Sequence, residues 1–179
     1  PATAFDQAAP LVLEIGFGMG DSFIEMVASR PDANFVGVEV HRPGIGNVLM
    51  ALHDQQVSNM RIVEGDAVAW LRDHCAERTF DEVLVLFPDP WHKKRHNKRR
   101  IINAEFVTLL ADRCKPGARL HLATDWMPYA EVMREVMAGS AGFQSDEARQ
   151  AQALHAPQRA ETKFERRGRR LGHAVCDLF

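Results

Sequence analysis

Five short apolar runs alternate along the chain with segments of helical periodicity, and this alternation limits the fold more than any other feature. The runs are Leu11–Ile15, Phe35–Val40, Met60–Glu64, Glu82–Phe87 and Ala118–Thr124. Asp21 and Ser22 stand where they can cap a helix, with Phe23, Met26 and Val27 on one face behind them. Helices are also predicted over about 44–54, 67–75, 99–114 and 127–138, with stops at Lys115-Pro116-Gly117 and Gly139. The alternation predicts an α/β fold, a parallel sheet with helices on both faces, in one domain over residues 1–179. Gly142–Ser145 and Gly172–Phe179 read as two further strands around a polar, basic linker.

Such sheets bind ligands outside the carboxyl ends of their strands, near the point where strand order reverses. Glu39, Asp66, Asp89 and Asp125 all fall at predicted carboxyl ends. One acid there would mean little, because Asp is common in turns; four aimed at one edge predict a site.

The loop after the first strand reads Glu14-Ile15-Gly16-Phe17-Gly18-Met19-Gly20-Asp21. Its glycines permit close backbone approach to a ligand. The third glycine comes one residue too early for a dinucleotide fingerprint, and no Gly-Lys-Ser/Thr follows, which excludes a phosphate loop. Glu14 and Asp21 would repel a pyrophosphate. They suit a ligand with a positive centre, such as the ammonium and sulfonium of S-adenosylmethionine. Glu39 lies 19 residues beyond Gly20, where an acid can accept from two ribose hydroxyls. Asp66 can meet an adenine ring through its carboxylate or its backbone N–H. A tight turn beside solvated acids is the plainer alternative.

After the fourth strand comes Phe87-Pro88-Asp89-Pro90-Trp91, followed by a run in which six of residues 93–100 are Lys or Arg. The prolines fix φ on both sides of Asp89 and keep it out of the helical region, so the carboxylate has little entropy left to lose. Residues 159–170 hold six more cations, so two windows contain 12 of the 22 Lys and Arg, although the net charge is only -2. Two concentrated basic patches on a near-neutral chain can attract a polyanion locally. Cys75, Cys114 and Cys176 are far apart; they suggest neither zinc nor a disulfide framework, and fit a reduced, cytoplasmic setting. No apolar run is long enough to cross a membrane, and nothing in the sequence calls for a metal or an obligatory protein partner.

Taken in order, LEIGFGMG, VGVEV, GDA, FPDPWHKKRHNKRR, ATDW and TKFERRG resemble the bacterial tRNA (guanine-N7)-methyltransferase family from about Leu11 to Phe179. The PDPW segment with its basic run is the specific part; the glycine loop is shared by all methyltransferases of this class. The resemblance implies a Rossmann-like class I fold with seven strands, mostly parallel, the last antiparallel. It implies methyl transfer from S-adenosylmethionine to the guanine at position 46 of tRNA, and a longer N-terminal region than this chain carries. It implies that Glu14, Gly16, Gly18, Glu39, Asp66 and Asp89 hold the cofactor, with Asp89 also catalytic. Lys93, Asp125, Thr162, Lys163, Phe164 and Glu165 would hold the substrate, and Arg95, His96, Asn97, Lys98, Arg99 and Arg100 would touch RNA.

Guanine N7 is a bare lone pair, so no proton must leave before it attacks and no strong base is needed. Alignment and negative potential near the purine are what help. A carboxylate can also accept from guanine N1–H and the exocyclic amine; Asp89, Asp125 and Glu165 are candidates. Thr162-x-x-Glu165 has a plain explanation as a capping box, compatible with function. His92, His96 and His173 read as surface or hydrogen-bonding residues, Trp70 and Trp126 as packing residues, with Trp126 close enough behind Asp125 to line the pocket. A methyltransferase acting on another planar nitrogen, or an RNA-binding module on a decayed methyltransferase fold, are the competing readings. The intact glycines and Glu39 argue against decay, and the basic windows argue against a small-molecule substrate.

Overall fold

The computed structural model describes residues 2–153, 161–162, 165–166, 170, 172 and 174–179. Six strands form one sheet in the order β3-β2-β1-β4-β5-β6. These are β1 Leu11–Ile15, β2 Asn34–Glu39, β3 Met60–Glu64, β4 Phe80–Leu86, β5 Cys114–Thr124 and β6 Cys176–Leu178. The first five are parallel, and β6 runs antiparallel to β5 with Thr124 opposite Cys176. The α/β class, helices on both faces and antiparallel last strand agree with the sequence.

Every residue of β1 and β2 is buried, because both faces of the sheet are covered. Alternate side chains feed two cores. Val12, Phe35 and Leu84 pack against Phe23 and Val27 of α1 (Asp21–Ser29) and Val48 of α2 (Arg42–Asp54). Leu13, Val36 and Val85 pack against Leu71 of α3 (Ala67–His74), Phe106 and Leu110 of α4 (Ala104–Arg113), and Tyr129 and Met133 of α5 (Met127–Ala138). Trp70 packs on Phe80 with ring centroids 6.2 Å apart. The strand order reverses at β1 and β4, which sets the crevice above their carboxyl ends.

Several boundaries differ from expectation. Asp21 does not cap α1; Gly20, at φ 83°, holds that position with no side-chain bond. A Cβ at Gly20 would meet Val48 Cγ2, so neither the turn nor the space admits a side chain. The helix expected over 99–114 begins only at Ala104, where Asn103 Oδ1 accepts from Phe106 N–H at 3.0 Å; a 3₁₀ segment, Lys94–Arg99, precedes it. Lys115-Pro116-Gly117 ends α4 as expected but lies inside a bulge at the start of β5.

Gly142–Ser145 is not a strand, so the sheet has six strands among the described residues where seven were expected. That segment has one apolar side chain, Phe143, and Asp146 competes by capping α6 (Glu147–Ala153), which lies in the expected linker. Asp146 N–H then bonds Phe179 O at 3.0 Å, and Gln150 Nε2 donates to Asp177 O at 2.6 Å beside β6. Among the described residues of the last expected strand, Cys176–Leu178 pair with β5. Among the described residues no helix is long and apolar enough to cross a membrane, and the three cysteines are free and buried.

Candidate active site

A cleft of about 740 Å³ opens above the carboxyl ends of β1, β2, β3 and β4. Glu14, Gly16, Gly18, Glu39, Asp66 and Asp89 all line it, so the residues the sequence assigned to one ligand come together from four strand ends. Asp21, Trp91, Arg99 and Thr162 line it too.

The glycine loop is its floor. Gly16 and Gly18 have φ 77° and 60°, and a Cβ on either would meet no protein atom within 4 Å. Apart from their chain neighbours these positions have open space around them, so the loop presents bare backbone to the cleft it lines. Behind the loop, α2 presses close: a Cβ on Gly44 would overlap Gly18 O. Gly44 was not singled out from sequence; the only signal is the spacing Gly44-x-Gly46 inside a helical pattern.

Glu39, 7% exposed, fastens the loop to β2. Its Oε2 accepts from Gly18 N–H at 2.6 Å, and its Oε1 accepts from Val40 and His41 N–H at 2.7 and 2.9 Å. A carboxylate has about four acceptor positions, so one on Oε2 is left for a ligand hydroxyl, where the sequence suggested acceptance from two. Glu14, 3% exposed and one residue before the end of β1, lines the same cleft. Asp66 caps α3, its Oδ1 accepting from Ala69 N–H at 2.8 Å, while its exposed carboxylate still faces the cleft. Val40, 68% exposed although apolar, is a wall of the cleft that sequence reading passed over.

The Pro88-Asp89-Pro90 turn stands at the cleft mouth with Asp89 exposed. Phe87 and Trp91, on its two sides, have φ 53° and 44°. Left-handed backbone at bulky residues is strained by roughly 1–3 kcal/mol each and collects at functional sites. The 3₁₀ segment folds back over Trp91: the His96 ring meets it edge-on at 5.8 Å and the Arg99 guanidinium lies 4.8 Å from its centroid. Arg95 Nε donates to His96 Nε2 at 3.2 Å. His92 packs edge-on against Trp126 at 4.4 Å, tying this turn to the loop after β5. His92 and His96 thus brace the turn, a role the sequence did not suggest.

Of the residues expected at RNA, Arg95, Asn97, Lys98 and Arg99 are exposed and His96 half-buried, whereas Arg100 is buried. Of those expected at the substrate, Lys93 is exposed and Asp125 half-buried at the end of β5; neither is a wall of the cleft. Thr162 and Glu165 are both buried, and Thr162 Oγ1 accepts from Glu165 N–H at 3.1 Å, the N-terminal half of a capping box. Lys163, Phe164 and His173, with Arg159, Arg167 and Arg169 of the second basic window, lie outside the described residues. Among the described residues, no three metal-ligating side chains converge.

The carboxylates of Glu14, Asp21, Glu39 and Asp66 give the inner cleft a negative character, and Arg99 adds a cation only at the rim. An apolar edge, bare glycine backbone and surrounding acids fit a nucleoside carrying positive charge, and disfavour a pyrophosphate.

A family model described as "Putative methyltransferase" matches residues 8–178. The tRNA (guanine-N(7)-)-methyltransferase of Yersinia pseudotuberculosis is 50% identical over 176 residues, covering 98% of this chain and 74% of that protein. The protein of the same name from Pseudomonas putida is 48% identical over 174 residues, covering 97% and 72%. Among solved structures, the 16S rRNA methyltransferase KamB superposes with a TM-score of 0.61 at 17% identity, over 98% of this chain and 89% of that one. A precorrin-6y C5,15-methyltransferase from Geobacter metallireducens superposes at 0.56 and 16% identity, over 76% and 65%. At these identities the likeness is one of fold.

Proposed function

Because the chain belongs to the tRNA (guanine-N7)-methyltransferase family, we infer that its cleft transfers a methyl group from S-adenosylmethionine to N7 of a guanine in tRNA. The observation that carries the site assignment is the convergence of Glu14, the glycine loop, Glu39, Asp66 and Asp89 on one cleft with the basic 3₁₀ segment at its mouth. The target is the guanine at position 46 in the variable loop, as the family resemblance implies, and the setting is cytoplasmic.

The donor supplies an electrophilic methyl carbon on a sulfonium. This chain's residues do the rest. Glu39 accepts from a ribose hydroxyl through the remaining position on Oε2, and Val40 offers an apolar edge to a purine. Gly16 and Gly18 let the backbone approach closely, and the acid of Glu14 offsets positive charge.

The reaction moves positive charge onto the purine, and N7 needs no deprotonation. Asp89 is therefore an electrostatic and orienting group, its carboxylate near the ring that becomes cationic. It also accepts from the guanine N1–H and amine, donors that adenine lacks; Asp125 and Glu165 are the alternatives for that readout. Lys93, Arg95, Lys98 and Arg99 are exposed beside the mouth and meet backbone phosphates. Nothing in the chemistry requires a metal.

The test is incubation with labelled S-adenosylmethionine and unmodified tRNA, followed by nucleoside analysis. Label in 7-methylguanosine is expected; label in another nucleoside, or none, contradicts the reading.

A further inference from the structure

Arg100 stands apart from the rest of the basic run. It is 8% exposed, while Lys93, Lys94, Arg95, Lys98 and Arg99 are all exposed. Its Nε donates to Pro90 O at 2.8 Å. Its guanidinium lies 4.7 Å from the centroid of the Tyr129 ring, and Tyr129 is fully buried in α5. The Tyr129 hydroxyl accepts from Ile102 N–H at 3.2 Å, which fixes the ring against the segment carrying Arg100. Burial pushes the Tyr129 phenol up to about 12; Ile102 N–H and Arg100 oppose the rise and Asp89 adds to it. Asp89, Arg100 and Tyr129 therefore share one electrostatic neighbourhood.

The turn that Arg100 grips needs gripping. Pro88 and Pro90 fix their own φ angles, but the strained residues are their neighbours, Phe87 and Trp91. Strained backbone persists only where its surroundings over-determine it. The Pro90 carbonyl belongs to the peptide plane that leads into Trp91, so a donor held on it sets ψ of Pro90 and constrains the left-handed Trp91. A guanidinium suits this task because its planar fork donates in plane while its face lies on an aromatic ring. Burial on Tyr129 also takes it away from phosphates, which a solvated cation would reach.

We propose that Arg100 is a positioning residue that aims the Asp89 carboxylate, by clamping Pro90 O against Tyr129, and is not an RNA contact. This rests on the role given to Asp89 above. A displacement of about 1 Å in such a group can cost on the order of 10²-fold in rate, and Lys in place of Arg can serve the carbonyl or the ring but not both.

The experiment compares Arg100→Lys, Arg100→Gln and Asp89→Ala with the unaltered chain. It measures single-turnover methyl transfer to unmodified tRNA at saturating donor and tRNA, and tRNA Kd across a salt series. Arg100→Gln is expected to lose roughly tenfold or more in the saturated rate, with Arg100→Lys between it and the unaltered chain. The tRNA Kd should stay within about threefold, and its salt slope should not move, because no phosphate contact is lost. A weaker Kd with a flatter salt slope and a normal saturated rate overturns the proposal in favour of an RNA contact. Normal behaviour of both variants overturns it as well, as does failure of both to fold. Should only Arg100→Gln misfold, the saturated rate of Arg100→Lys decides. A near-normal Asp89→Ala would sink the reading of Asp89 itself; an inactive Asp89→Ala beside normal Arg100 variants sinks only this inference.

Discussion

Replacing Glu39 by Gln should loosen the glycine loop and destabilise the fold together. The carboxylate accepts three backbone N–H groups, from Gly18, Val40 and His41, at 2.6–2.9 Å. Hydrogen bonds to a charged group contribute about 1.5–3 kcal/mol each, against about 0.5–1.5 for neutral pairs. A Gln amide has one oxygen. If that oxygen serves Val40 and His41, both bonds weaken to the neutral range and the NH₂ faces the Gly18 donor. If the amide is flipped, two donors are lost. Partial solvation at the cleft offsets some of this, so a loss of about 2–4 kcal/mol is expected, or roughly 5–15 °C in Tm for a chain of this size. On the proposed site, affinity for S-adenosylmethionine should fall by about 1–3 kcal/mol, because the glycine loop is no longer fastened. Thermal unfolding and calorimetric titration with the donor measure the two effects. A variant that keeps both its Tm and its donor affinity would refute the claim that Glu39 organises the loop.

Alanine at Gly44 should reduce stability by roughly 1–3 kcal/mol and weaken donor binding, because the new Cβ meets Gly18 O; Gly46→Ala, with open space around it in the same helix, should be neutral or slightly stabilising. Equal behaviour of the two in a denaturant titration would contradict the close approach. Changing Arg95 and Lys98 to Ala should raise tRNA Kd and lower the salt slope by up to about 0.9 per phosphate contact, with donor affinity unchanged; an unaltered slope would make the segment a solvated face. Burial pushes the Cys114 thiol up to about 12, so the folded chain keeps a proton that the unfolded chain releases above its ordinary value of 9.0. Stability from this group is level below pH 9 and falls as pH rises from 9 towards 12, and Cys114→Ala should flatten that decline in urea titrations.

The strands and the acids at their carboxyl ends were legible because burial on both faces writes continuous apolar runs, and because Glu39, Asp66 and Asp89 each follow such a run. The glycine loop was legible as a floor without side chains. What stayed hidden depends on direction more than on composition. A count of cations in 93–100 treats Arg100 like Arg99, yet the 3₁₀ segment ends between them and turns one inward to Tyr129 and the other outward to Trp91. The helical period around Ile102 and Phe106 extends back to residue 99 in the sequence, because nothing before Asn103 announces that Arg100 takes an extended conformation. The backbone bonds of Glu39 were also invisible, since the donors lie in a loop 21 residues away and at the next two positions. Gly142–Ser145 is the reverse case: its single apolar residue, Phe143, is too weak a strand signal to compete with Asp146, which caps α6.

The central claim is that the Asp89 carboxylate, held between two prolines and two strained residues, serves methyl transfer itself and does not merely recruit tRNA. Single-turnover methylation of unmodified tRNA by Asp89→Ala and Asp89→Asn, at saturating donor and tRNA, isolates that step from binding. Asn keeps the size of the side chain but removes the charge that offsets the cationic purine and sets an NH₂ against guanine's own donors. Both variants should lose about 10²-fold or more in rate while tRNA Kd changes less than about tenfold. A near-normal rate for Asp89→Ala would remove this residue from the mechanism and leave Asp125 or Glu165 to read the guanine.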